Sequence, residues 1–143
     1  MFARAVHFND HFKSDVGRVS PSQLDKERHE LELYDEDVVD ERLGDCVKLL
    51  SSGDDRTLAV AFFEFLISAE NSADEEPMFA LGQLFFKNPD LVEVAFSQFK
   101  PHEREILYKT LAAGWLNVRA EISDHDAEIK DRDDRLRRMK AAV

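Results

Sequence analysis

The stretch Pro77–Val118 constrains the fold of this chain most, because it places three helix starts among large apolar side chains. Residues 88–90, Asn-Pro-Asp, combine a capping side chain, a proline at the first helical position and an acid near the positive end of the helix. Residues 74–77 and 100–103 are similar starts, although the latter lacks a good capping side chain. Three helices within about forty residues, joined by short turns, pack as antiparallel neighbours.

The remaining sequence also predicts helices. The chain has 5 glycines, 4 prolines and few runs of β-branched residues, which favours an all-helical fold. A helix is expected from Pro21 to about Tyr34, and the next one is expected to be capped by Asp35 or Asp37 and to end near Gly53. We predict an all-α fold, a compact bundle of five or six antiparallel helices with a long charged C-terminal helix. The expected core residues are Phe62, Phe65, Leu66, Phe85, Leu91, Phe96, Leu107, Leu111 and Trp115.

The sequence contains a weak internal repeat. LGDCVKLL begins at Leu43 and LGQLFF at Leu81, and each is followed by a helix with the pattern Val-Ala-Phe-x-x-Phe, at residues 60–65 and 94–99. Two stacked helix pairs of this kind resemble the α-solenoid style of HEAT-like proteins. Chance similarity between two amphipathic hairpins explains the pattern equally well, so no family is assigned from it.

The patterning divides the chain into three parts. We interpret residues 1–20 as a loosely attached N-terminal arm, residues 21–118 as the helical domain and residues 119–143 as a charged helical extension. In the extension, apolar residues recur every seven positions and five acids precede a base by four, a spacing that stabilises helices. We expect this segment to continue the helix around Trp115 and to project beyond the core. Its apolar stripe would then dock on the domain or on a second copy of the chain.

Acidic residues are concentrated in the first half of the chain. The net charge of the whole chain is −11, and residues 21–76 alone hold 17 acids against 5 bases, a net charge of −12. Capping of predicted helix starts explains about half of the clustered acids. The excess either serves solubility or forms an electronegative surface that steers a basic partner, and it argues against nucleic-acid binding. The expected partner-binding residues are Asp35, Glu36, Asp37, Asp40, Glu41, Asp54, Asp55, Asp74, Glu75 and Glu76.

The sequence lacks the common catalytic and cofactor motifs. It has no glycine-rich phosphate loop, no Cys-x-x-Cys, no His-Glu-x-x-His and no nucleophile elbow, so we predict neither a cofactor nor a metal. His7 and His11 have a spacing that can bind a metal, but no companion motif accompanies them. The carboxylate pairs are expected on solvated turns, where their pKa values would not be raised. Cys46 lies among apolar residues and is predicted to be buried and inert.

The apolar segments also indicate a location. The N-terminus has no continuous apolar region typical of a signal peptide. The longest apolar run, Leu58–Ile67, is interrupted by Glu64 and is too short to span a bilayer. We therefore expect no membrane association and a cytoplasmic location.

Three classes of function fit these features. The favoured hypothesis is a non-catalytic acidic protein–protein interaction module that sequesters a basic protein, similar in style to bacterial immunity proteins and antitoxin-type inhibitors. The second is an assembly or scaffold subunit that forms a homodimer through residues 119–143. The third is an enzyme whose site is assembled from separate helices. The missing motifs argue against enzymatic activity without deciding the question.

Overall fold

A computed structural model describes residues 1–72 and 74–143, most of which are helical, with no strand among them. Its elements, in chain order, are α1 (Phe2–Asp15), α2 (Pro21–Tyr34), a π-helical segment (Asp35–Asp40), α3 (Glu41–Ser51), α4 (Arg56–Ser68), α5 (Glu76–Lys87), α6 (Pro89–Phe96), α7 (Pro101–Glu121) and α8 (Asp126–Ala141). The predicted all-α fold is confirmed. Because α2, the π-helical segment and α3 run on as one helix, the described residues form seven separate helices, slightly more than the five or six predicted.

Side-chain caps start several helices where the sequence predicts them. Ser20, Asp55 and Asn88 each accept a hydrogen bond from the backbone N–H three residues later, at 3.0 to 3.3 Å. The predicted cap at Asp35 or Asp37 is wrong. The backbone is right-handed helical at both Tyr34 and Asp35, so the helix does not begin there and has no free N–H groups to cap.

The predicted core forms around α4, the most apolar helix of the chain. All nine expected core residues are buried in one cluster. α4 packs against α1, α6 and α7, and its single acid, Glu64, faces solvent. α1 contributes Phe2, whose ring stacks on those of Phe62 and Phe65 at 5.4 Å, so residues 2–15 are in close contact with the domain. No helix of the described residues has the length and apolar character needed to cross a membrane.

The two halves of the internal repeat pack in the order expected for stacked hairpins. α3 lies against α5, and α4 lies against α6, so equivalent helices of the two halves are neighbours. Cys46 of α3 is buried, as predicted, and burial together with the charge of Asp55 raises its pKa to about 11. A thiol with that pKa holds almost no thiolate at neutral pH and is a poor nucleophile.

The closest helix contact in the fold joins α5 to α7 through two glycines. A Cβ atom built on Gly82 would overlap the carbonyl of Gly114, and one built on Gly114 would overlap the carbonyl oxygen of Met78. The two backbones therefore touch directly, without intervening side chains. Only glycine permits this approach, because it has no Cβ atom. The direct contact gives α5 one fixed position on α7.

The C-terminal segment folds back instead of projecting. α7 ends at Glu121, a turn follows, and α8 packs against α5 and α7, so the predicted continuous helix is wrong. The physical reason is burial: folding back buries Met139 and partly covers the apolar stripe, which a projecting helix would leave in water. The stripe consists of Ile122, Ile129 and Leu136. Homodimerisation through residues 119–143 stays a prediction.

Charged side chains hold α8 in place. Arg132 donates hydrogen bonds to the carbonyl oxygens of Phe85 and Phe86, at 3.2 and 2.6 Å, and so satisfies groups that the end of α5 leaves free. Trp115 donates its indole N–H to Asp133 at 2.9 Å. Of the five acid–base pairs predicted at four-residue spacing, only Asp131–Arg135 is an ion pair within the described residues, because the other bases face other partners or solvent.

We expect Gly82→Ala and Gly114→Ala each to lower the free energy of unfolding by about 1–3 kcal/mol, because the added methyl group forces α5 away from α7. Gly44→Ala is the matched control. Gly44 lies in α3 with no atom near a Cβ built on it, so alanine there should stabilise the protein by about 0.5–1 kcal/mol. Urea unfolding curves measure all three. Equal effects at the three positions would contradict the direct helix contact.

Candidate functional site

A cavity with acidic walls lies between the π-helical segment and the turn before α5. Its volume is about 510 Å³. Seven carboxylate side chains line it, together with Ser72 and Phe79. The space that they line is called the acidic cavity here. The seven acids are Glu32, Asp35, Glu36, Asp40, Asp74, Glu75 and Glu76.

The π-helical segment places two of these acids on one side of the helix. A π-helix closes its hydrogen bonds between residues five apart, so Asp35 and Asp40 lie one turn apart. Val39, which is fully buried, anchors the same segment to the core. π-helical turns are rare and are frequently found at functional sites. The local geometry therefore turns both carboxyl groups towards the acidic cavity.

Three carboxyl groups of the acidic cavity have buried oxygens without a hydrogen-bond partner. They are Oδ1 of Asp35, Oδ1 of Asp40 and Oδ2 of Asp74, and Asp35 as a residue is only 7% exposed. In the part of the chain that the structure describes, no lysine, arginine or histidine forms an ion pair with any of the seven carboxylates. Burying an ionised carboxylate without a partner is costly, so this site favours a proton or a cation.

The carboxyl groups of the cavity have raised pKa values. Burial raises the pKa of Asp35 to about 6, and the charges of Asp74 and Glu32 add to the effect. Burial likewise raises the pKa of Asp40 to about 7. The charge of Asp74 reinforces this second shift, because a nearby negative charge favours the protonated form of Asp40.

The expectation that carboxylates would lie on solvated turns with ordinary pKa values is therefore wrong for Asp35 and Asp40. Both residues lie inside a continuous helix, and tertiary packing brings the acidic turn before α5 against them. Raised pKa values in a cleft are typical of functional sites, although structural clusters of acids also produce them.

The structure brings six of the ten predicted partner-binding residues to one place. They are Asp35, Glu36, Asp40, Asp74, Glu75 and Glu76. Asp37 and Glu41 are exposed and do not line the cavity. Asp54 and Asp55 belong to the turn before α4, where Asp55 caps the helix and Asp54 lies 3.7 Å from Arg56.

Sequence reasoning missed Glu32 and Phe79 as parts of this site. Glu32 precedes Asp35 by three residues, and residues at this spacing are neighbours on the surface of a helix. That spacing was the available signal for Glu32. Phe79 resembles any other core phenylalanine in sequence, and only the packing of α5 brings its partly buried ring to the cavity wall.

We expect Asp35→Asn to stabilise the protein at pH 8 by about 1–3 kcal/mol, because one pKa unit corresponds to about 1.4 kcal/mol. The pKa of Asp35 is higher in the folded state than its ordinary value of 3.8, so protonation favours folding. The wild type should therefore lose stability as pH rises through about 6, and the variant should lose less, because only Asp40, with its pKa of about 7, still titrates in the cavity. Thermal unfolding between pH 4 and pH 8 measures the difference. Asp37→Asn, an exposed change on the same segment, should have no such effect, and matching pH profiles for both variants would contradict the assignment.

The chain matches no protein-family model, no curated protein and no solved structure. We therefore infer a function from the geometry and charge of the acidic cavity.

Proposed function

We propose that this protein is a non-catalytic binding module that takes a lysine or arginine side chain of a basic protein partner into the acidic cavity. The observation that supports this most is the set of buried, unpartnered oxygens on Asp35, Asp40 and Asp74. The described residues supply no cationic side chain to these acids, so a partner's cation would complete the site.

A basic side chain matches what the cavity lacks. An ammonium group offers three hydrogen-bond donors and a guanidinium offers five, whereas ionised carboxylates only accept. Hydrogen bonds between charged groups contribute about 1.5–3 kcal/mol each. Insertion of a cation would also lower the raised pKa values of Asp35 and Asp40, because an opposite charge favours the ionised carboxylate.

The shape of the cavity suits a long basic side chain on a protein. The partly buried ring of Phe79 gives one wall an apolar surface, against which the aliphatic stem of lysine or the plane of a guanidinium can pack. The acids around the mouth extend the negative potential outward, and such a potential raises the association rate of a basic partner. Nucleic acids would be repelled by the same potential.

The class of protein and the location expected from the sequence are part of what we propose. A small acidic helical protein that captures a basic protein is similar in style to bacterial immunity proteins and antitoxin-type inhibitors, and we propose that this one acts in the cytoplasm. The exposed Asp37 and Glu41, and the separate pair Asp54 and Asp55, would then contribute only long-range attraction.

A second candidate function, acid–base catalysis, has one observation in its favour. Asp40, with a pKa of about 7, lies beside Asp35, with a pKa of about 6, and a carboxyl pair with such values can donate and accept protons near neutral pH. No cysteine lines the cavity, and its one hydroxyl, on Ser72, has no histidine among the lining residues to activate it. Binding without chemical change is therefore the simpler use of these residues.

The test is a titration of the full chain with a fluorescent arginine-rich peptide, followed by fluorescence anisotropy at several salt concentrations. We expect binding that weakens as salt rises, because charge attraction acts over a Debye length of about 10 Å at 0.1 M salt. The double variant Asp35→Asn with Asp40→Asn should bind about tenfold or more weakly, which corresponds to about 1.4 kcal/mol.

The matched control is the double variant Asp37→Asn with Asp54→Asn, which removes two carboxyl groups outside the cavity. It should keep nearly all of the affinity. Equal losses for the two double variants would mean that only net charge matters, and the proposal would be wrong. Calcium that displaces the peptide from the wild type at equal affinity would indicate a metal site instead. Mass spectrometry of the recovered peptide separates binding from catalysis, since a binding module returns it unchanged.

A further inference from the structure

A second cluster of polar side chains lies between α1 and α2, away from the acidic cavity's lining. Nε2 of His11 is 2.9 Å from Oε1 of Glu27 and 3.3 Å from Oδ2 of Asp15. One ligand atom from each of the three residues lies within 4.8 Å of the other two. Since His11 and Asp15 are four residues apart, they share one face of α1, and Glu27 reaches them from α2.

Glu27 is the unusual member of this cluster. It is only 8% exposed, and its Oε2 atom is buried with no hydrogen-bond partner. Its other oxygen accepts a long hydrogen bond of 3.4 Å from Gln23 in addition to the contact with His11. A carboxylate more than nine-tenths buried needs compensation by a donor or a cation. No lysine or arginine among the described residues forms an ion pair with it.

We propose that His11, Asp15 and Glu27 bind a divalent transition-metal ion of the zinc type. Bonds of about 2.0–2.1 Å from zinc to imidazole nitrogen or carboxylate oxygen separate neighbouring tetrahedral ligands by about 3.3 Å. The two separations from Nε2 of His11, 2.9 and 3.3 Å, are close to that value, so small side-chain movements suffice. Imidazole favours zinc, cobalt or nickel over magnesium and calcium, which prefer oxygen ligands.

The cluster has the charge and the access that such an ion needs. Two carboxylates and a neutral imidazole carry a charge of −2, which a divalent cation balances. The side chain of His11 is 55% exposed, so solvent reaches the site, and a water molecule can occupy a fourth position beside three protein ligands. Gln23 supports the orientation of Glu27 through its hydrogen bond, as outer groups do at metal sites.

His11 is one of two histidines that lie four residues apart in the sequence. His7 stacks on His11 with ring centroids 6.2 Å apart, but it does not belong to the group of three ligand atoms. The companions are Asp15 and Glu27. Another group with a metal-like sequence is Asp124-His125-Asp126. It is not comparable, because the side chain of Asp124 is 85% exposed and His125 only approaches Asp124 and Glu128, at 3.8 and 4.0 Å.

The test is a titration of the full chain with Co²⁺, followed by visible absorption, and with Zn²⁺, followed by calorimetry. We expect one equivalent to bind and magnesium not to compete. His11→Asn and Glu27→Gln should each weaken Zn²⁺ binding by about tenfold or more. Even the loss of a residue that only hydrogen-bonds to a metal ligand lowers metal affinity by about that factor. His7→Asn is the matched control on the same helix and should bind like the wild type.

Circular dichroism confirms that each variant is folded, and Asp15→Asn, at a more exposed ligand, replaces Glu27→Gln if that variant does not fold. Failure of the wild type to bind Co²⁺ and Zn²⁺ would overturn the proposal. Binding that persists in His11→Asn, or that is lost in Asp35→Asn instead, would overturn it equally, because the ion would then occupy another site.

Discussion

The direct backbone contact between α5 and α7 is the constraint on which the rest of the structure depends. Gly82 and Gly114 allow the two helices to touch, and this contact fixes where both ends of α5 lie. At its end, the free carbonyl groups of Phe85 and Phe86 receive the guanidinium of Arg132 and so hold α8. At its start, the acidic turn of residues 74–76 is placed against the π-helical segment. The acidic cavity is therefore a consequence of helix packing as much as of local sequence.

The acids of the cavity have no cationic partners among the described residues, and several bases form contacts elsewhere. Arg132 and Arg135 hold α8, Arg56 lies beside Asp54, and Lys109 pairs with Glu105. Protons that the raised pKa values retain offset part of the resulting repulsion. A folded protein that keeps such a cluster gives up stability at this site, which is common where a surface has been selected for binding.

Local signals in the sequence were sufficient for the helices and the core. Asn88 and Asp55 cap helices as their side chains predict, and the apolar pattern of α4 identifies the centre of the fold. The same reasoning failed at Asp35, because the sequence around an acid that caps a helix can be the same as the sequence around an acid inside a continuous helix. It also failed after Glu121. The acids and bases of residues 124–134 fit a continuous helix, but the chain turns there because the turn allows Met139 to be buried.

The candidate sites could be predicted only in part, because each joins segments that are distant in sequence. The acids of residues 35–40 and 74–76 were identifiable from composition, yet their meeting depends on α3 packing against α5. The same holds for His11 and Glu27, since nothing in the sequence indicates that Glu27 is buried. Residues that tertiary packing brings together do not lie at a regular spacing in the chain, so a single sequence does not reveal that they meet.

An NMR titration of the aspartate side-chain carboxyl carbons, in the free protein and in the presence of an arginine-rich peptide, tests whether the cavity receives a cation. We expect midpoints of about 6 for Asp35 and about 7 for Asp40 in the free protein. Both midpoints should move down towards the ordinary aspartate value when the peptide binds, because the cation replaces the retained protons. Midpoints near the ordinary value in the free protein, or midpoints that binding leaves unchanged, would contradict the claim that this cavity is built to receive a cation.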